Sequence, residues 1–283
     1  PMGAEDKFQG VIDLVEMNAI LFEGQRGTDV ITTEIPSDLL DQAAAAREVM
    51  IERVAENDDQ MMVSFLEGHD VEASELKKAI RRATISNAIT PVFAGAALRD
   101  KGVQPMLDGV ITYLPSPLDV PPISAFEVGG EGAPVERPPS DDAPFTALAF
   151  KVVSDPFVGR LVFFRVYSGT LETGGEVMNT SRKNRERIGR IMRMHSNSRE
   201  EIDAVYAGDI AAAIGLKDTF TGDTLSSRQD QVVLESITFP EPVISIAIEP
   251  KTRDDQDRMG EAMRRLAEED PTFRIAFQEE TGQ

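Results

Sequence analysis

Residues 90–104 read TPVFAGAALRDKGVQ, and their spacing is the first in the chain that could do chemistry. The apolar run Thr90–Phe93 predicts a strand. Ala94, Gly95, Ala96 and Ala97 follow as a tight turn, and an amphipathic helix pattern comes next. Strand, small-residue turn and helix build one wall of a nucleotide pocket in α/β proteins. Small side chains let backbone N–H groups approach a ligand, so the amides of Ala96 and Ala97 are candidate donors to a base carbonyl. A strand-to-helix turn that needs small residues only for packing explains the same letters, and the residues alone favour that plainer reading. No GxxxxGK[ST] loop able to cradle phosphates occurs anywhere in the chain.

Two charged clusters come next. In Ser181–Met194, SRKNRERIGRIMRM, the residues Arg182, Lys183, Arg185, Arg187, Arg190 and Arg193 face a single acid. Guanidinium groups suit phosphate geometry, so the run could meet RNA. A solvated barrel hairpin whose charges blunt an edge is the competing reading. Glu48, Glu52 and Glu56 are spaced i, i+4, i+8 and share one helix face near Asp41. Like charges at that spacing are mildly destabilising, which suggests a basic partner helix; random surface acidity competes with it. His69 and His195 lie far apart without ligand-like spacing and read as surface or packing residues. GxSxG and HExxH elements are missing, and zero cysteines exclude disulfides and thiolate metal sites, which suits the cytosol.

The elements that must position these residues fall into zones. At 283 residues, 41% hydrophobic and 28% charged, the chain suits two or three globular domains. A net charge of −20 argues against non-specific nucleic-acid binding by the whole molecule, so any such contact needs a local patch. No apolar run is long enough for a membrane span, and PMGAEDKFQG lacks the pattern of a secretion signal. Residues 1–35 predict short strands or hairpins around a turn at Gly24–Gly27. Pro36-Ser37-Asp38 then predicts a helix start with Ser37 or Asp38 as N-cap, and Leu39, Ala43, Ala46, Met50 and Val54 as its buried stripe. A second helix is expected over 73–84, burying Leu76, Ala79, Ile80 and Ala83.

Eight of residues 115–144 are proline, which predicts a linker draped over a surface. Between 144 and 234, short β-branched and aromatic runs separated by glycine turns predict an antiparallel barrel. Finally, Val243–Ile248 reads as a strand and Thr252 with Asp255 as a cap. Met259, Met263 and Leu266 give a helix stripe, and Phe273–Phe277 a second strand. That is β-α-β, the first half of a split β-α-β fold. A start at Pro1 inside structured sequence and a stop at Gln283 after a strand suggest a piece of something larger.

The chain resembles bacterial translation elongation factor G, the GTPase translocase of the ribosome, from end to end. GAALRDKGVQPMLDGVITYLPSPLDVPP resembles the family's last guanine-recognition motif with the helix and proline linker after it. DPFVGRLVFFRVYSGTLETGGEV and AGDIAAAIGLKDTFTGDTL are similar to its β-barrel domain. FPEPVISIAIEPKTRDDQDRMGEAMRRLAEEDPTFR is similar to the start of its third domain.

The resemblance implies a multidomain α/β and β fold. Residues 1–114 become the C-terminal part of a P-loop GTPase G-domain with its inserted subdomain at about 10–86. Residues 115–143 become a linker, 144–236 the barrel, and 237–283 the first half of a ferredoxin-like split domain. It implies that Ala97 N–H meets guanine O6 with Gly95 and Leu98 as flanking wall. Ala96 stands where the family usually has serine, which removes a hydroxyl and keeps the backbone donors. GTP or GDP with Mg2+ would be cofactors of the full-length protein. Its phosphate loop, switches and NKxD motif would lie upstream of Pro1, so the 283 residues alone are expected neither to bind nor to hydrolyse GTP. The implied partners are ribosomal: the basic helix of the stalk protein on Glu48, Glu52 and Glu56, and small-subunit RNA on Arg182, Lys183 and Arg185. A cytoplasmic protein, monomeric off the ribosome and away from membranes, is expected. A related translational GTPase of the ribosome-protection or second-copy type, and a stand-alone ribosome-binding module without GTPase activity, are the alternatives.

Overall fold

The computed structural model describes residues 1–67, 71–129, 133–155, 158–196, 198–235, 237–250 and 252–276. The expectations placed on His69, Phe277 and Gln283 lie outside the described residues. The chain forms two compact units, Pro1–Asp119 and Val120–Gln283.

The first unit opens with an antiparallel meander of β1 (Gly10–Asp13), β2 (Asn18–Glu23) and β3 (Asp29–Thr33). Four helices follow: α1 (Leu40–Ala55), α2 (Asp59–Leu66), α3 (Ala73–Ile85) and α4 (Val103–Tyr113). Their core is Val54, Ala55, Met61, Leu76, Ala79, Ile80 and Tyr113. The α3 stripe is buried as its period requires, at Leu76, Ala79, Ile80 and Ala83. In α1 only part of the expected stripe is covered: Ala43 and Val54 are buried but Ala46 is exposed. Neither Ser37 nor Asp38 caps that helix. A separate turn, closed by Leu39 N–H on the Pro36 carbonyl at 2.9 Å, delays the start, and Leu39 stands at the N-cap without a side-chain bond. The eight-residue α2 is too short to show a clear period in the sequence; Asp58 caps it by accepting Met61 N–H.

Two arginines staple this unit through carbonyls. Arg47 donates to Leu14 O and Val15 O at 2.6 Å each and to Val71 O at 2.9 Å. Arg81 donates to Thr112 O and Leu114 O at the end of α4, where helical carbonyls lack intrahelical partners, and pairs with Asp119 at 2.6 Å. The strand expected at Thr90–Phe93 does not form. The run is extended with Val92 90% exposed, since no neighbouring strand among the described residues offers it a ladder. Phe93 instead lies against Gly109, where a Cβ would come within 2.2 Å of its ring.

The second unit begins with β4 (Ile123–Glu127) and β5 (Val135–Arg137). This corrects the reading of 115–143 as a linker without strands: β4 is the centre of a three-stranded sheet. Its prolines flank the strands, at 121–122, 134 and 138–139, where they cost no ladder bond. The barrel strands are β6 (Thr146–Asp155), β7 (Gly159–Ser168), β8 (Leu171–Glu172), β9 (Glu176–Asn179), β10 (Asn184–Arg187), β11 (Arg190–His195), β12 (Ser198–Ile202), β13 (Ala204–Val205), β14 (Ile210–Ile214) and β15 (Thr224–Ser226). After them β16 (Val232–Leu234) returns to pair with β4.

The main sheet has the order β10-β9-β15-β6-β7-β14-β11-β12. Only Ile188 and Gly189 separate β10 from β11, so one bent stretch bonds β9 with its first half and β14 with its second. The sheet thereby returns on itself, and a closed antiparallel barrel leaves few edges. Closure needs glycine: Gly189 N–H donates to Ile214 O at 2.8 Å, and a Cβ on Gly215 (φ 110°) would sit 2.8 Å from Gly189 N. Inside lie Val162, Phe164, Val166, Val177, Ile188, Ile191, Val205, Ala213 and Leu225.

The last element, α5 (Arg253–Glu269), is capped as expected by Thr252, which accepts Asp255 N–H at 3.2 Å. It docks on the barrel through its C-terminal end, where Glu269 accepts Ser154 N–H at 2.7 Å and Glu268 lies 3.7 Å from Arg160. The flanking strands are not formed: 243–248 and 273–276 are extended but unpaired, with Val243, Ile244 and Ile246 more than three-quarters exposed. In a split β-α-β arrangement these two strands are separated by a third, which the described residues do not supply.

Candidate functional site

The small-residue turn after Phe93 is rigid. Ala96 and Lys101 form an antiparallel bridge, with Ala96 N–H donating to Lys101 O at 2.9 Å and Lys101 N–H to Ala96 O at 3.3 Å. Inside it, Ala97–Arg99 makes one 3-10 turn, closed by Arg99 N–H on Ala96 O and Asp100 N–H on Ala97 O. Gly95 is required because a Cβ there would stand 2.8 Å from Lys101 O, and Gly102 because of its φ of 85°. Two outer ion pairs hold the loop, Arg99 to Asp6 at 2.6 Å and Arg26 to Asp100 at 3.8 Å. Leu98 is fully exposed. The N–H groups of Ala97 and Leu98 donate to nothing among the described residues. Two adjacent amides without a partner are open to a hydrogen-bond acceptor outside the turn. This corrects the expectation that Ala96 is a free donor: its amide is taken by Lys101 O, and the open amides are those of Ala97 and of Leu98, the latter expected only as flanking wall.

Glu48, Glu52 and Glu56 lie on α1, all three exposed. Glu56 pairs with Arg53 at 3.0 Å, and Glu56 first, then Glu52, raises the Arg53 pKa above its usual value. The ridge is therefore interrupted by one neutralising cation at its C-terminal end.

The basic run changes most on folding. Arg182 donates from Nε to Asp223 at 2.8 Å and lies 4.1 Å over the Phe220 ring. Arg185 lies 3.8 Å from Glu176, Arg190 3.7 Å from Glu201, Arg193 3.8 Å from Glu200, and Arg187 donates to the Gly174 carbonyl. Lys183, at φ 60°, stands exposed. Spacing along the sequence hides these acids because they arrive from other strands. His195 is exposed, 3.5 Å from Glu200, as a surface residue should be.

Arg182 belongs to a buried polar knot that the sequence does not announce. Asn179, fully buried, donates to Thr219 at 3.2 Å and Asp223 at 2.9 Å and accepts Arg182 N–H at 3.0 Å. Asp223 also accepts Phe220 N–H, and Glu186 accepts Lys217 N–H, Asp218 N–H and the Thr219 hydroxyl. Together these bonds pin the loop between β14 and β15, so Arg182 is primarily a loop-positioning residue. The only sequence signal for the knot is the polar run KDTFTGD beside strands.

Residues 159–226 match the family model of elongation factor Tu domain 2, and residues 239–283 match that of elongation factor G, domain III. A crystal structure from Thermus thermophilus matches over 100% of this chain with 27% sequence identity and a TM-score of 0.78. The chain spans 39% of the length of that protein. An elongation factor Tu domain 2 followed by an elongation factor G domain III, with the structural match over the whole chain, supports an elongation-factor-G-like translational GTPase fragment.

Proposed function

We propose that this chain is the central portion of a translocase of the elongation factor G type, a GTPase that moves tRNA and mRNA through the ribosome. The observation that carries the reading is the pairing of the two matched domains in this order, the second being matched by the elongation factor G model. The free amides of Ala97 and Leu98 support it: they suit a guanine edge, with Gly95 and Ala96 shaping the turn. In the whole protein, GTP with Mg2+ would supply the phosphoryl chemistry that drives the conformational cycle. This chain's share would be to hold the base, to dock Glu48, Glu52 and Glu56 on a basic stalk-protein helix, and to carry the barrel against small-subunit RNA. The setting would be the cytoplasm, with a monomer off the ribosome.

Ribosome co-sedimentation tests the reading. The chain is expected to pellet with ribosomes in a salt-sensitive way and to slow translocation by an intact factor through competition. A chain that neither pellets nor competes would overturn it. Calorimetric titration with GTP should give no micromolar binding, because two base-edge amides without phosphate contacts cannot offset the cost of association.

A further inference from the structure

Four of the six cations in the basic run meet carboxylates, and the barrel also carries unopposed cations on another face. The β6–β7 register shifts twice, at Thr146–Ala147 and at Ala149–Lys151, and the second shift is a bulge that inserts Phe150. Ala149 stays inside opposite Phe164, whereas Phe150 and Lys151 both emerge on the outer face as consecutive exposed residues. Phe150 is 37% exposed and its ring centroid lies 6.4 Å from that of Phe163, tilted by 52°. Phe163, Arg165 and Tyr167 alternate along β7 on this same face, all half-buried. The Arg165 guanidinium lies 5.4 Å over the Tyr167 ring, and beside it on β14 stands Ile210, 57% exposed.

Free charge and exposed aromatic surface coincide on this face. Arg160, Arg182, Arg185, Arg190, Arg193 and Arg199 of the barrel each meet a carboxylate. Among the described residues Lys151 and Arg165 meet none, as is true of Lys183, Arg187 and Lys217 elsewhere on the barrel, but only these two stand beside the Phe150, Phe163 and Tyr167 rings. Aromatic rings on an antiparallel sheet face, flanked by free cations, suit unstacked bases joined by phosphates.

We propose that Phe150, Lys151, Phe163 and Arg165 form a stacking platform for an unpaired RNA segment, with Phe150 under a base and Lys151 and Arg165 on the adjoining phosphates. This rests on the ribosomal reading and replaces Arg182 and Arg185 as the RNA-facing residues of the barrel.

The test uses the 283-residue chain with a labelled short oligoadenylate, in fluorescence anisotropy at several salt concentrations, and with ribosomes in co-sedimentation. Phe150→Ala should weaken oligoadenylate binding about tenfold with an unchanged salt slope, and Phe150→Tyr should restore it. Lys151→Glu should weaken it by a similar factor and reduce the salt slope by about one. Lys183→Glu should change neither by more than about twofold. Both first variants lie on exposed positions, and unchanged melting curves separate lost binding from lost folding. Equal binding by Phe150→Ala, Lys151→Glu and the unchanged chain overturns the platform, as does competition by polyglutamate as strong as by RNA. If the chain pellets with ribosomes while these variants pellet equally well, the platform fails and the ribosomal reading stands. If the unchanged chain does not pellet at all, both fail.

Discussion

Asp58 shows how much of a small α-helical subdomain can rest on one carboxylate. Its Oδ1 accepts Met61 N–H at 3.0 Å to cap α2, and its Oδ2 accepts Arg82 Nε at 2.7 Å to tie α3 alongside. The Arg82 hydrogen bond, against the opposing push of burial, holds the Asp58 pKa below its usual value, and Met61 N–H helps. A depressed native pKa means that this stabilisation is complete above the unfolded value of about 3.9 and is lost as pH falls through the native one. Asp58→Ala should cost about 1–2 kcal/mol at neutral pH by chemical denaturation. Asp58→Asn keeps a capping oxygen but loses the ion pair, so its acid branch should be flatter than that of the parent; an identical acid branch would refute the assignment. Asn179 makes a sharper case. Removing it by Asn179→Ala strips a donor from Asp223 and Thr219 inside the barrel wall, and a loss of about 2–3 kcal/mol is expected. Asn179→Asp sets a second carboxylate beside Asp223, so it should destabilise more at neutral pH and recover partly in acid, where one of the two is protonated. A melting temperature independent of pH in that variant would contradict the geometry.

Elements are legible in the sequence where local signals agree with the packing. The α3 stripe, the Thr252 cap and the barrel's alternating runs can all be read directly because each is fixed by residues close in sequence. Thr90–Phe93 and Val243–Ile248 mislead for a shared reason: a strand needs a neighbour, and the apolar pattern does not say whether one is present. Strand β4 misleads the other way, since proline density masks a five-residue window, Ile123–Glu127, that contains none. Of the site residues, the Ala97 turn is legible because its constraints are local; the fate of the basic run is not, because Glu176, Glu200, Glu201 and Asp223 reach it across strands. The docking of α5 is equally invisible. Two glutamates in the last turn oppose the helix dipole, and they are explained by the Ser154 amide and Arg160 that receive them. Glu269→Ala should therefore raise hydrogen exchange of the Ser154 amide by about tenfold while leaving Ile191 and Phe164 amides in the barrel protected. Loss of protection throughout the barrel would show that α5 is part of its core and not a docked element.

At the scale of the molecule, charge and exposed apolar surface are in balance. Val92, Leu98, Ile111, Val243, Ile244 and Ile246 are each more than three-quarters exposed, which is apolar area of the kind that drives association. A net charge of −20 opposes it at neutral pH through mutual repulsion. That repulsion should vanish near the isoelectric point of about 4.5, where the exposed residues are free to meet. The Asp58 contribution fails only below about 3.9 and the native pKa beneath it, so the two acid effects occupy different windows. Light scattering on titration from neutral pH should show association setting in near pH 4.5 while far-ultraviolet circular dichroism remains native. Added salt at neutral pH should bring on the same association by screening, at a Debye length of about 8 Å at physiological ionic strength and less above it. Replacing Ile244 and Ile246 with serine should lower the association at pH 4.5 without moving the isoelectric point. Scattering that stays flat through pH 4.5, or that rises only together with loss of the circular dichroism signal, would show that unfolding and not exposed native surface governs the acid behaviour.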